Sequence, residues 1–97
     1  MEQKIVILGA GESGVGSAIL AQKQGYAVFV SDLGKIKEKY KCVLLDKGIE
    51  FEEEKHSEEK ILDAETVVKS PGIPDTASLI QKFRSKAIPV ISEIASA

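Results

Sequence analysis

The sequence predicts an α/β fold, with parallel strands covered by helices on both faces. Three observations carry the prediction. Short apolar, β-branched runs such as Lys4–Leu8 and Thr66–Lys69 recur along the chain and suit strands buried on two sides. Segments of helical periodicity separate them. A glycine-rich turn, Gly9-Ala10-Gly11-Glu12-Ser13-Gly14, joins the first run to the first helical segment.

The first strand is Lys4-Ile5-Val6-Ile7-Leu8, and the glycines after it read G-x-G-x-x-G. Gly9 lets the chain turn sharply, Gly11 leaves room for a pyrophosphate near the backbone, and Gly14 lets the helix pack closely on the sheet. The helix start then offers unpaired N–H groups and partial positive charge to an anion. Ser13 is the expected cap. Val15, Ala18 and Ile19, widened by Leu20 and Ala21, form the buried stripe, and Gly25 is the expected stop. Tyr26 to Val30 is the second strand, ending at Ser31-Asp32. Strand, helix and strand make a right-handed βαβ unit. Its final acid follows the glycine loop at about the 20-residue spacing that suits contact with a nucleotide.

Ile36, Tyr40, Val43 and Leu44 predict an amphipathic helix over 35–47, with Lys35, Lys37, Lys39 and Lys41 on a solvated face. Gly48 ends it. Residues 49–52 alternate as a half-exposed edge strand, Glu52-Glu53-Glu54 reads as a solvated loop, and His56 as a surface residue. Ser57 is expected to cap a short helix through Leu62. Thr66–Lys69 is the fourth strand. Ser70-Pro71-Gly72-Ile73-Pro74 then makes a stiff loop. Asp75 or Thr76 is expected to cap the next helix, whose apolar face is Leu79, Ile80, Phe83 and Ala87, with Lys86 near its negative end. Residues 88–91 form a fifth strand, which Pro89 assigns to an edge or to a strand start. Residues 92–97 look like the opening of a further helix, so the chain is expected to be a piece of a longer protein. Gly9, Asp32 and Ser70 all follow strand ends, where ligands of open parallel sheets bind.

Composition narrows the function. Ninety-seven residues make one small domain. A net charge of −2 and a single arginine, Arg84, give no basic footprint for nucleic acid. No apolar run approaches the ~20 residues that span a bilayer, and the start has no basic leader pattern. The single cysteine, Cys42, fits a reducing cytoplasm, and with His56 alone beside it a zinc site is not expected.

With the glycine loop, Asp32, Ser70-Pro71-Gly72-Ile73 and the tail Pro89-Val90-Ile91-Ser92-Glu93-Ile94 in place, the sequence resembles the N-terminal domain of the MurD ligases. That family joins D-glutamate to UDP-N-acetylmuramoyl-L-alanine in bacterial cell-wall synthesis. The resemblance covers the whole chain. It implies a Rossmann-like, three-layer domain with a five-stranded parallel sheet, binding a UDP-sugar and not a dinucleotide. Residues 1–97 would be that single domain, with the central ATPase and C-terminal domains absent. Carried over residue by residue, the diphosphate falls to Gly11, Glu12, Ser13 and Gly14, the uracil to Asp32, and further nucleotide contacts to Ser70, Pro71 and Gly72. Glu12, which brings a carboxylate near the phosphates, and Leu33-Gly34 after the acid depart from the family pattern. ATP and Mg²⁺ serve the parent enzyme. No G-x-x-x-x-G-K-[ST] occurs in these residues, so no cofactor and no catalytic residue are expected here, and D-glutamate selection falls to the missing domains. Two other readings stay open: an NAD-binding domain, with Asp32 on a ribose hydroxyl, and an interaction module that lost its ligand.

Overall fold

A computed structural model of the chain describes residues 3–92; the helix expected over 92–97 and the Glu93-Ile94 part of the tail lie outside the described residues. The elements are β1 (Lys4–Leu8), α1 (Glu12–Lys23), β2 (Ala27–Ser31), α2 (Glu38–Asp46), β3 (Glu50–Glu52), α3 (Glu58–Ile61), β4 (Thr66–Lys69), α4 (Ser78–Ser85) and β5 (Val90–Ile91). The five strands form one parallel sheet in the order β3-β2-β1-β4-β5.

The period-2 geometry of β1 divides the core. Ile5 and Ile7 face α1 and α2, packing with Val15, Ala18, Ala21, Ile36 and Leu44. Val6 and Leu8 face the other way, packing with Ile61, Ile80 and Phe83 from α3 and α4. The expected three layers are therefore present, with β1 central. Because β2 and β3 extend the sheet one way and β4 and β5 the other, the chain reverses direction beside β1. The loops leaving β1 and β4 pass to opposite faces there and open a crevice between them.

Three helices end in the same way. Gly25 (φ +93°) follows α1, and the next N–H, of Tyr26, donates to the Ala21 carbonyl. Gly48 (φ +69°) follows α2, with Ile49 donating to Leu44. Ala87 follows α4, with Ile88 donating to Phe83. Each is a Schellman closure that delivers an apolar residue straight to the core. Ala87 was expected on the buried face of the helix. It instead takes the left-handed position, at φ +59°, and is exposed.

Other expectations are corrected. Gly11, not Ser13, is the N-cap of α1, and Ala77, not Asp75 or Thr76, that of α4. The helix predicted from residue 35 begins at Glu38, because Ile36 is buried from a loop whose N–H binds Glu53 Oε1 at 2.9 Å. Ser57 does cap α3, but without a side-chain bond. The acidic run is not a solvated loop. Glu52 is buried in β3, Glu53 pairs with Lys41 at 2.5 Å, and Glu54 turns the chain at φ +61°.

Ala87→Gly is expected to stabilise the fold by about 0.5–1 kcal/mol, since relief of left-handed strain exceeds the added freedom of the unfolded chain. A higher urea midpoint at unchanged slope would register it.

Candidate functional site

A crevice of about 590 Å³ lies beyond the carboxyl ends of the strands. Gly9, Ala10 and Gly11 line it from the β1–α1 loop, Asp32 and Leu33 from the end of β2, and His56 from the segment after β3. Ser70, Gly72, Ile73 and Pro74, with Ala77 to Leu79 at the start of α4, form the opposite wall.

The glycines set its floor. Gly9 has φ +99°, and a Cβ there would lie 3.0 Å from Ser70 Cβ, so its bareness brings the two loops together. A Cβ at Gly14 would lie 1.8 Å from the Gly9 carbonyl oxygen, so α1 starts hard against the turn. Gly11 has no atom within 4 Å of where a Cβ would be, which leaves open space at the helix start. The first helical bond runs from Val15 N–H to the Gly11 carbonyl at 2.9 Å. The amides of Glu12, Ser13 and Gly14 precede that bond, and no side chain caps them. They point partial positive charge out of the helix.

Asp32 ties this floor to β2. Its Oδ2 accepts the Ala10 N–H at 2.8 Å, and its Oδ1 accepts the Gly34 N–H at 2.9 Å. Each carboxylate oxygen keeps a further lone pair for a ligand. On the other wall, Lys69 Nζ donates to the Ile73 carbonyl at 3.0 Å and lies 3.7 Å from Asp75, so it staples the 70–75 loop from beneath.

His56 corrects its surface assignment: it is half-buried and lines the crevice. The turn at Glu54 lays residues 54–57 across the end of β2, where Glu54 N–H donates to Gly34 and Lys55 N–H to Asp32. Beneath the ring, Ser31 is fully buried. Its Oγ lies 2.6 Å from His56 Nδ1 and donates to Glu52 Oε2 at 2.8 Å. Glu52 Oε2 also accepts the Ser57 N–H at 2.7 Å. Burial pushes the His56 imidazole below its ordinary range, against the charges of Glu52 and Asp32. Burial would raise the Glu52 carboxyl, but hydrogen bonds from Ser57 and Ser31 and the nearby Lys55 charge hold it below the usual value. The order here is acid, serine, histidine. A nucleophilic triad needs the histidine in the middle and a reachable hydroxyl, so this is a structural network.

Of the residues singled out from the sequence, Gly11, Asp32, Ser70 and Gly72 meet in the crevice. Ser13 and Gly14 line an adjoining narrow notch with Ser17, Lys69, Ser70 and Ser92. Glu12 and Pro71 are exposed and line neither. Leu33, 68% exposed, and His56 were not singled out. The signal for His56 was faint: a serine closing an apolar strand, with an acid at an inward position of the edge strand beside it. Among the described residues no group of three His, Cys, Asp or Glu could hold a metal ion, and no helix is long and apolar enough to cross a membrane.

The family model for the MurD N-terminal domain matches residues 4–79. A UDP-N-acetylmuramoylalanine--D-glutamate ligase of Christiangramia forsetii is 64% identical over 94 residues, covering 97% of this chain and 21% of that protein. Ligases of the same name from Cytophaga hutchinsonii and Bacteroides fragilis are 58% and 55% identical, covering 97% and 95% of the chain and 21% of each protein. The chain thus spans about a fifth of the length of these relatives. Among solved structures, UDP-N-acetylmuramate-alanine ligase MurC of Thermotoga maritima superposes with a TM-score of 0.72 at 24% identity, over 93% of this chain and 20% of that one. The UDP-N-acetylmuramate:L-alanyl-gamma-D-glutamyl-meso-diaminopimelate ligase of Neisseria meningitides gives 0.74 at 22% identity, over 94% and 28%. At those identities the likeness is one of fold.

Gly14→Ala is expected to cost about 3 kcal/mol, because the new methyl meets backbone oxygen that cannot move aside; urea unfolding measures it. A second expectation concerns pH. His56 is the only histidine, and its native pKa is lowered. The unfolded chain therefore takes up a proton first as pH falls below about 6.5, and stability declines in that window until the native imidazole also protonates. In His56→Gln, unfolding midpoints between pH 7 and 5.5 should be flat.

Proposed function

The chain belongs to the MurD N-terminal domain family, and from that premise we propose that its crevice binds the UDP part of UDP-N-acetylmuramoyl-L-alanine. In this reading it is the N-terminal, substrate-binding domain of an ATP-dependent ligase that adds D-glutamate during peptidoglycan synthesis in the cytoplasm. One observation carries the reading most directly. Gly11, the N-cap of the uncapped first turn of α1, and the Asp32 carboxylate line one opening, joined by the 2.8 Å bond from the Ala10 N–H, and Ser13 and Gly14 line the notch beside it.

The chemistry follows from those groups. The amides of Gly11, Glu12, Ser13 and Gly14 receive the diphosphate by hydrogen bonds and helix-end charge. Asp32 accepts hydrogen bonds from the nucleoside, and Ser70 and Gly72 close the facing side, with Pro71 between them stiffening the loop from its outer surface. Glu12 is exposed on the first turn of α1 and lines neither opening. ATP and Mg²⁺ would activate the substrate carboxylate as an acyl phosphate in the longer protein. The residues here offer no P-loop and, among those described, no metal cluster, so no catalytic step is assigned to them. D-glutamate is likewise left to other domains.

Calorimetric titration is expected to show modest binding of UDP-N-acetylmuramoyl-L-alanine and UDP, with NADH inert. Tight NADH binding without a response to the UDP compounds would overturn the reading in favour of a dinucleotide domain. Asp32→Ala is expected to weaken UDP binding by about 1–3 kcal/mol through loss of a charge-assisted bond, while the far-ultraviolet spectrum is retained.

A further inference from the structure

The buried hydroxyl of Ser31 fixes which nitrogen of His56 carries the proton. Ser31 Oγ has one hydrogen and three acceptors in range: Glu52 Oε2 at 2.8 Å, the Lys55 carbonyl at 3.2 Å and His56 Nδ1 at 2.6 Å. If the hydrogen went to His56, Glu52 Oε2 would meet Ser31 Oγ lone pair to lone pair at 2.8 Å. Its sister Oε1 is already buried without a partner, so that arrangement leaves the carboxylate worse served. Donation to the carboxylate is charge-assisted and the stronger bond. His56 Nδ1 must then donate to Ser31 Oγ, which leaves Nε2 with a lone pair.

That lone pair is available. The ring lines the crevice together with Asp32. Among the described residues the hydrogen bond of the His56 ring is the one at Nδ1, and the one buried side-chain polar atom left unpaired is Glu52 Oε1. The charged groups around the ring are Glu52 beneath it, Asp32 at the end of β2, and Lys55 beside Glu52. The crevice wall therefore carries two acceptors, one charged and one neutral.

We propose that His56 is a specificity-determining residue of this crevice, its Nε2 accepting a hydrogen bond from the nucleoside of the bound ligand beside Asp32. The inference rests on the UDP-sugar reading. A uridine offers two kinds of matching donor, the imide N–H of the base and the ribose hydroxyls. A group presenting a lone pair at this position would be rejected, since two acceptors cannot pair.

The test combines spectroscopy with binding to the 97-residue chain. Nitrogen-15 shifts of the imidazole should show Nδ1 protonated and Nε2 bare near pH 7; the reverse tautomer overturns the proposal without any ligand present. His56→Phe should weaken UDP binding about threefold to tenfold, and His56→Gln, which can hold an amide oxygen near the place of Nε2, should recover most of it. Discrimination against the analogue lacking the donor should shrink in His56→Phe. CDP, whose base has a bare ring nitrogen, reports the imide, and 2′-deoxy-UDP reports the ribose. If UDP binds wild type and His56→Phe alike, this proposal fails and the UDP reading stands. If wild type does not bind UDP at all, both fall. Should His56→Phe not fold, full loss of UDP binding in a folded His56→Gln would overturn it equally.

Discussion

A single steric fact governs the carboxyl edge of the sheet: α1 begins so close to the end of β1 that a methyl at Gly14 would sit 1.8 Å from the Gly9 carbonyl oxygen. The helix cannot stand off from the sheet, and its amide end is held at one place. Gly9 then turns at φ +99° under the Ser70 side chain, which brings the β4 loop alongside. From these two contacts the floor and one wall of the crevice follow. The remaining wall is tied to the same turn by Asp32, whose carboxylate grips the Ala10 amide. Side chains that bridge loops in this way do structural and binding work with different lone pairs of the same group.

The scaffold was legible because its determinants are local. β1 reads as a strand from five adjacent residues and the glycine turn from its spacing, while Pro89 left β5 either at an edge or starting with the proline, of which the sheet order gives the edge. Where the reading failed, a tertiary contact had replaced a local preference. Ile36 has helical spacing to Tyr40 but is buried from a loop held by Glu53. Ser13 has the chemistry of a cap, yet Gly11 takes the position because the turn ends one residue after Ala10. Ala87 has the hydrophobicity of a buried position and lies where α1 and α2 place glycine.

The site was legible in part for the same reason. Gly11, Asp32, Ser70 and Gly72 come together because each follows the end of a strand, and the parallel sheet brings strand ends to one edge. His56 lies four residues beyond β3, and its place is set by a left-handed turn at Glu54 and by a buried serine–glutamate pair. Neither is visible in residue types alone: an acidic run followed by a lone histidine reads as surface until Ser31 is known to face inward and to need a partner.

The three matching helix endings divide the labour of the chain. From α1, α2 and α4 the backbone reaches the next strand within a few residues, along a path pinned by paired amides and an apolar side chain delivered to the core. From β2 and β4 to the helices that follow, the path is longer, and those stretches build the crevice together with the tight β1–α1 turn. Insertions, deletions and exchanged side chains at that rim can remodel the mouth while the opposite end keeps its register. Drift between related proteins can thus accumulate on the ligand-facing side without loosening the sheet.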